Sequence, residues 1–322
     1  MRFVIFGAGA VGGVVGARLH QGGYEVALIA RGAHLEAMRR SGLTLETPDE
    51  RLTLRLPVGA DPAELEVGGD DVVLLTTKSQ DTAGALDALR RAGAEDLPIV
   101  CLQNGVDNER AALRRFRSVY GALVMSPTAH LEPGVVQAYA TNLTGMIDIG
   151  AYPNGADERC RAIAQALEAS QFASQVQRDI MRLKYAKLLL NIGNAVVALC
   201  GEGERSEELI ALAVTEGRAA LTAAGIEFEA PEVDDIQGRW GRMGVQEIEG
   251  RPRAGSSSWQ SLARGTGAIE TDYLNGEIAL LGRLHGVPTP INVALCNVAG
   301  RYARQGRAPG ELSPSELLAV SA

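Results

Sequence analysis

With 322 residues, 46% of them hydrophobic, and a mean hydropathy of +0.01, the chain is long enough for two domains and can bury a sizeable core. Its net charge of −8 and pI near 5.2 exclude the electrostatic footprint of a nucleic-acid binder, and no lysine- or arginine-rich block is present. The four cysteines, Cys101, Cys160, Cys200 and Cys296, lack metal-ligand or CxxC spacing, as do the histidines His20, His34, His130 and His285, so buried thiols in a reducing compartment and no metal are expected.

In chain order, Arg2–Phe6 is a short apolar run suited to one buried strand. It breaks at Gly7-Ala8-Gly9-Ala10-Val11-Gly12, a GxGxxG that runs into an apolar helix over Val14–His20. Gly22-Gly23 ends that helix, and Tyr24–Ile29 is a second strand. Strand, glycine turn, helix, strand is the context in which such a turn presents backbone N–H groups to a pyrophosphate; an ordinary glycine-rich βα turn is the plainer alternative. At the end of the second strand stands Ala30-Arg31 and no acidic residue. An arginine there pairs a 2′-phosphate, which favours NADP(H), unless it is simply a solvated residue opening the next helix.

A helix is predicted over His34–Arg40, then alternating strands near Leu43–Glu46 and Leu52–Val58. Asp71–Thr77 reads as a parallel-sheet strand ending at Lys78-Ser79-Gln80-Asp81, with a helix on to about Ala92. Pro98–Leu102 is another strand, ending at Gln103-Asn104-Gly105. Gly7, Arg31, Lys78 and Asn104 therefore stand at successive strand ends, where ligands of open α/β sheets bind. Further strands are predicted at Val119–Met125, Val135–Ala140 and Thr144–Ile149, with a last one over Gln171–Val176.

From about Asp157 helical periodicity takes over, with helices expected at Asp157–Ala169, Asp179–Leu199, Glu207–Ala224, Pro231–Val245 and Thr271–His285, and a last one after Pro290. The fold class is thus α/β: a Rossmann-like domain over residues 1–175 and an all-α domain over residues 176–322. The first strand starts at residue two, which predicts no signal peptide and a cytoplasmic location, and Leu188–Cys200 is too short and too asparagine-broken to span a bilayer.

Within the helix over Lys184–Leu199, Lys187, Asn191 and Asn194 fall at i, i+4 and i+7 on one face. They line a polar cleft or form a solvated stripe; unpartnered burial would be costly. Ser256-Ser257-Ser258-Trp259-Gln260-Ser261 follows a Gly/Pro/Arg-rich loop and should open a helix whose serine end either holds a carboxylate or only caps itself.

Together these residues resemble the ketopantoate reductase (2-dehydropantoate 2-reductase) family over nearly the whole chain. The landmarks are GAGAVG at 7–12, Arg31, TTKSQ at 76–80, QNG at 103–105, KLLLN at 187–191, SSSWQS at 256–261, IETDYLNGEI at 269–278 and HGVPTPIN at 285–292. The resemblance implies NADPH-dependent reduction of the 2-keto group of a small 2-keto acid, ketopantoate, bound between the two domains, on the way to pantothenate and coenzyme A. It implies that Gly7, Ala8, Gly9, Ala10, Val11, Gly12, Arg31, Lys78, Asn104 and Glu270 hold the cofactor. It further implies that Lys187 is the catalytic proton donor with Glu270 beside it, and that Asn104, Lys187, Asn191, Asn194 and Ser258 contact substrate. Neither a membrane nor a nucleic acid is an expected partner, and a homo-oligomer is left open. Two positions depart from the family pattern: Ala195 replaces an asparagine, with Asn194 adjacent on the same predicted face, and Leu262 replaces an aspartate.

Overall fold

The computed structural model describes residues 1–228, 241, 243–251 and 255–321. The chain divides into two compact units, Met1–Met181 with Pro231–Arg253, and Arg182–Ala230 with Ala254–Ala322.

The first unit carries strands β1 (Arg2–Phe6), β2 (Glu25–Ile29), β3 (Leu43–Glu46), β4 (Arg51–Leu54), β5 (Val58–Gly59), β6 (Asp71–Leu75), β7 (Ile99–Cys101), β8 (Val119–Met125), β9 (Thr128–Ala129), β10 (Val135–Ala138), β11 (Gly145–Ala151) and β12 (Phe172–Ala173). Its helices are α1 (Ala10–Gln21), α2 (Gly32–Ser41), α3 (Thr82–Arg91), α4 (Asn108–Leu113) and α5 (Glu158–Ala169). The main sheet has the order β12-β11-β8-β7-β6-β1-β2-β5. It is parallel from β5 through β8, and β11 runs antiparallel to β8.

After a charged first residue (Arg2, Glu25 and Asp71), β1, β2 and β6 are apolar throughout because both faces are covered: Phe3 and Ile5 point into one core with α1, and Val4, Val73 and Leu75 into a second with α3. The chain leaves β1 through α1 to β2 on one side, and β6 lies on the other side of β1. The carboxyl ends of β1 and β6 therefore flank a topological switch point.

A second sheet, β4-β3-β10-β9, covers the other side of α1, which thus packs on β1 and β2 as well as on β3, β9 and β10. That double coverage explains why α1 is buried without a break from Gly12 to Leu19 and lacks a polar stripe. A Cβ on Gly13 would come within 2.7 Å of Val136, and one on Gly16 within 2.8 Å of Leu28, so small residues let both sheets approach.

The sequence-based strand over Leu52–Val58 resolves into β4 and β5, and that over Gln171–Val176 shrinks to β12 plus a single bridge from Ile149 to Val176. The helix expected over Pro231–Val245 lies mostly outside the described residues. The described residues at and just past its end hydrogen-bond within the first unit: Thr141 N–H to Gly244 O at 3.0 Å and Gln246 N–H to Tyr139 O at 2.8 Å.

Helices α6 (Ile180–Asn191), α7 (Asn194–Cys200), α8 (Glu204–Ala223), α9 (Ser257–Ala263), α10 (Asn275–His285), α11 (Pro290–Gln305) and α12 (Pro314–Ser321) follow, with the unit boundary falling inside α6. In the second unit α8, α10 and α11 pack on one another around Leu209, Leu221, Ile278, Leu295 and Val298, and α9 packs on α7.

The single helix expected over Asp179–Leu199 is two, interrupted at Ile192-Gly193. The cause lies far away in sequence: the side-chain amide of Asn275 donates to the Ile192 carbonyl at 3.0 Å, taking an acceptor that an unbroken helix would use internally. Ile180–Cys200 as a whole is long and apolar enough to cross a membrane by length and composition, a correction to the shorter run read from sequence, but most of it is buried inside the protein.

Candidate functional site

In the first unit the glycine turn follows β1 directly. Gly7 has φ +111°, which glycine alone adopts without strain, and the amides of Gly7 and Ala8 both donate to the Ile29 carbonyl at the end of β2, each at 3.0 Å. The Gly9 amide turns back to the Gly7 carbonyl at 2.7 Å, and Gly9 is the N-cap of α1. The next three amides, of Ala10, Val11 and Gly12, precede the first intrahelical bond and make no backbone hydrogen bond among the described residues.

The three motif glycines differ in what a side chain would meet. On Gly7 a Cβ would lie 2.8 Å from the Thr77 nitrogen. On Gly12 it would lie 2.3 Å from the Gly7 oxygen and 2.4 Å from Thr76 Oγ1. On Gly9 it would meet no atom of the described residues within 4 Å. The loop thus packs tightly against β6 and leaves open space at Gly9 beside the free amides of a helix N-terminus, which fits a pyrophosphate.

The other strand-end stations adjoin this turn through the order β2-β1-β6-β7. Thr76, just past β6, donates its hydroxyl to the carbonyls of Phe6 (3.1 Å) and Gly7 (2.8 Å). Arg31 is the N-cap of α2, its side chain is 83% exposed, and it forms a two-pronged ion pair with Asp81. The half-buried Lys78 precedes the turn Ser79–Asp81.

Asn104 follows β7, and its carbonyl accepts from the Asn108 side chain at 3.0 Å. Gln103 donates to the Thr77 carbonyl at 2.8 Å and to Thr82 Oγ1 at 2.9 Å, while Asn108 reaches Ser79 Oγ at 3.1 Å. These side chains stitch the loops after β6 and β7 together, so the Lys78 and Asn104 stations share one framework. Of these supporting residues, Thr76 and Gln103 lie inside quoted motifs; Asp81, Thr82 and Asn108 gave no signal of their own.

In the second unit Lys187 lies on α6, with Lys184 buried one turn before it. Burial, reinforced by the Lys184 charge, pushes the Lys187 ammonium down to about 7, and Glu270, itself 4% exposed, pulls in the opposite direction. Asn191 ends α6 and Asn194 opens α7, both half-buried, so the helix break passes between them and the i+7 spacing no longer describes one continuous face. Ala195 and Leu262 are buried packing residues, at 1% and 4% exposure.

Among the serines, Ser256 uses its hydroxyl as N-cap for the Trp259 amide at 3.3 Å, and Ser261 donates to the Ser257 carbonyl at 2.9 Å. Among the described residues Ser258 Oγ is buried with no hydrogen-bond partner, and so is Thr271 Oγ1 next to Glu270. Buried hydroxyls are seldom left so, and both are suited to a polar ligand. Sequence reasoning missed the network behind this region: Asn275 donates to Asn292 Oδ1 at 3.0 Å, and Asn292 donates to Glu216 at 2.8 Å. Both asparagines stand in quoted motifs, but nothing local linked them to Ile192.

Comparison with known proteins covers both units. The family described as "Ketopantoate reductase PanE/ApbA" matches residues 3–154, and "Ketopantoate reductase PanE/ApbA C terminal" matches residues 179–303. A 2-dehydropantoate 2-reductase of Archaeoglobus fulgidus is 30% identical over 310 residues, covering 92% of this chain and 96% of the relative. The crystal structure of a PanE/ApbA family ketopantoate reductase from Ralstonia eutropha JMP134 superposes with a TM-score of 0.79 at 30% identity, over 95% of this chain and 99% of that one. D-Mandelate dehydrogenase, solved with NADH and anilino(oxo)acetate, shares the fold at 23% identity with a TM-score of 0.78, over 99% of this chain and 100% of that one.

Proposed function

The chain belongs to the ketopantoate reductase PanE/ApbA family, and from that premise we propose that it is an NADPH-dependent oxidoreductase reducing the 2-keto group of 2-dehydropantoate to pantoate. In this reading residues 1–175 form the NADP-binding domain and residues 176–322 the helical substrate domain, in a cytoplasmic enzyme. The nicotinamide supplies the hydride.

The chain's own residues do the rest. The amides of Ala10, Val11 and Gly12 in the Gly7–Gly12 turn would hold the pyrophosphate, Arg31 would take the 2′-phosphate, and Lys78 and Asn104 would lie close to the cofactor. Asn104, Asn191, Asn194 and Ser258 bind the keto acid. Lys187 stabilises the oxyanion left by hydride addition and delivers its proton, and Glu270 favours the charged form of that lysine and also borders the cofactor.

The observation that carries this reading is the placement of Lys187 on α6 with the buried Lys184 one turn before it and the buried Glu270 acting on it, surroundings that push its ammonium down to about 7. A donor tuned to neutral pH is what protonation of an alkoxide requires, and a protein that only sensed NADP(H) would have no use for it. The test is the loss of NADPH absorbance with ketopantoate, beside other 2-keto acids and with NADH. Rapid turnover confined to ketopantoate and NADPH supports the proposal; tight NADPH binding without any turnover defeats it.

A second reading, a reductase of a different small 2-keto acid, draws on the substrate half. Ala195 and Leu262 are buried and apolar where the family pattern carries polar side chains, so recognition there falls to Asn191, Asn194 and Ser258. Turnover of another keto acid with Lys187 still required would select that reading.

A further inference from the structure

His34 lies in the first turn of α2, 9% exposed, between two backbone groups of fixed polarity. The Gly134 amide donates to its Nδ1 at 2.8 Å, so that nitrogen holds a lone pair. Its Nε2 stands 2.7 Å from the Ala8 carbonyl, which only accepts, so the ring proton is on Nε2. The His130 ring packs against it with centroids 4.0 Å apart, and burial together with the His130 charge pushes His34 down to about 4.

Ala8 belongs to the glycine turn. The planar peptide joining Ala8 to Gly9 is gripped at both ends, its carbonyl by His34 and its N–H by the Gly7 carbonyl. Gly9 is the N-cap of α1, so the orientation of this peptide sets the direction of the amides that follow. The same histidine stands three residues beyond Arg31 on the helix that Arg31 caps, and thereby ties the glycine turn to the Arg31 station.

We propose that His34 is the positioning residue of the dinucleotide loop, a neutral Nε2-protonated imidazole that fixes the Ala8–Gly9 peptide so that the Ala10, Val11 and Gly12 amides are presented to a pyrophosphate. This inference rests on the dinucleotide reading above and deepens it.

The test compares His34→Phe, which keeps a packed ring without a donor, with His34→Gln, whose amide can still donate to the Ala8 carbonyl. His34→Phe is expected to raise the Kd for NADPH about tenfold, the effect of one binding-relevant hydrogen bond, while kcat at saturating NADPH stays within about twofold. His34→Gln should recover most of the affinity. A purely structural role would lower Tm in both variants without separating Kd from kcat.

Should His34→Phe not fold, two measurements still decide: the affinity of His34→Gln, and the tautomer read in the wild-type protein by long-range proton–nitrogen NMR. A wild-type ring protonated on Nδ1, a His34→Phe variant binding NADPH as tightly as wild type, or a His34→Gln variant as weak as His34→Phe overturns the assignment. Wild-type protein that binds neither NADPH nor NADH defeats the dinucleotide reading itself, a separate and distinguishable failure.

Discussion

Arg31 and Asp81 meet fork to fork, Nη1 to Oδ1 at 3.2 Å and Nη2 to Oδ2 at 2.9 Å, across the carboxyl ends of β2 and β6. A carboxylate engages a guanidinium as a phosphate does, so a 2′-phosphate at this position competes with Asp81 for Arg31. Because the pair is largely solvent-exposed, its own contribution is small and salt-sensitive. Arg31→Ala is expected to weaken NADPH binding selectively over NADH. Asp81→Asn should tighten NADPH several-fold and leave NADH unchanged, an advantage that fades at high salt; fluorescence titration with both cofactors measures it. Loss of NADH affinity in Asp81→Asn with NADPH unaltered would assign the carboxylate to a ribose hydroxyl instead.

Gly9 and Gly12 separate ligand contact from packing. At Gly9 the backbone has φ −74° and an added methyl meets no atom of the described residues within 4 Å, so Gly9→Ala should fold with unchanged or slightly raised stability, by up to about 1 kcal/mol. Its cofactor affinity should fall sharply, since the methyl occupies the space in front of the free amides. At Gly12 the methyl would strike the Gly7 carbonyl at 2.3 Å, so Gly12→Ala should lower Tm by several degrees as well as abolish binding. Paired melting curves and NADPH titrations check the contrast; a Gly9→Ala variant that binds normally would remove the turn from the cofactor site.

What was legible in the sequence was local. The run from Arg2 to Ile29 announces strand, turn, helix and strand because each element's period and its glycine punctuation lie within a few residues of one another. The strand-end stations Arg31, Lys78 and Asn104 could be placed by chain order because parallel strands put all their carboxyl ends on one edge. The helix break at Ile192-Gly193 was not legible: the apolar pattern continues through it, and its cause is an amide 83 residues away. His34 looked like one of four scattered histidines, since its two backbone partners, Ala8 and Gly134, come from separate parts of the chain. The pairing of Gly244 and Gln246 with Thr141 and Tyr139 likewise left no periodic trace.

Asn275 should matter more for stability than its position in a motif implies. It is fully buried and donates to the Ile192 carbonyl and to Asn292, which in turn binds the Ala213 carbonyl and Glu216. Asn275→Ala leaves two buried acceptors unsatisfied, at about 1–3 kcal/mol each. A drop in Tm of several degrees is expected, with a fall in kcat larger than the change in NADPH Kd, because Asn191 and Asn194 flank the released carbonyl. An Asn275→Ala enzyme with wild-type Tm would show that the network is dispensable.

Lys187 should trade stability for catalysis. As a proton donor it must be charged, so kcat/KM for keto-acid reduction should be high below about 7 and fall as pH rises through that value. Glu270→Gln removes the charge that favours the ammonium and should move this limb to lower pH. Lys187→Ala should cut turnover by orders of magnitude while NADPH binding barely changes. The linkage sign follows from a folded value near 7 against 10.5 in the unfolded chain. Between them the unfolded state binds the extra proton, so stability rises with pH across that window, and below it the fold carries the full cost of the sequestered charge. Lys187→Met, which keeps the stem without the charge, should therefore be inactive yet melt higher than wild type near neutral pH, with the gain shrinking toward pH 10.5. A Lys187→Met variant that melts lower at every pH would mean that the ammonium is held by contacts that outweigh its desolvation, and would remove the tuned-donor argument.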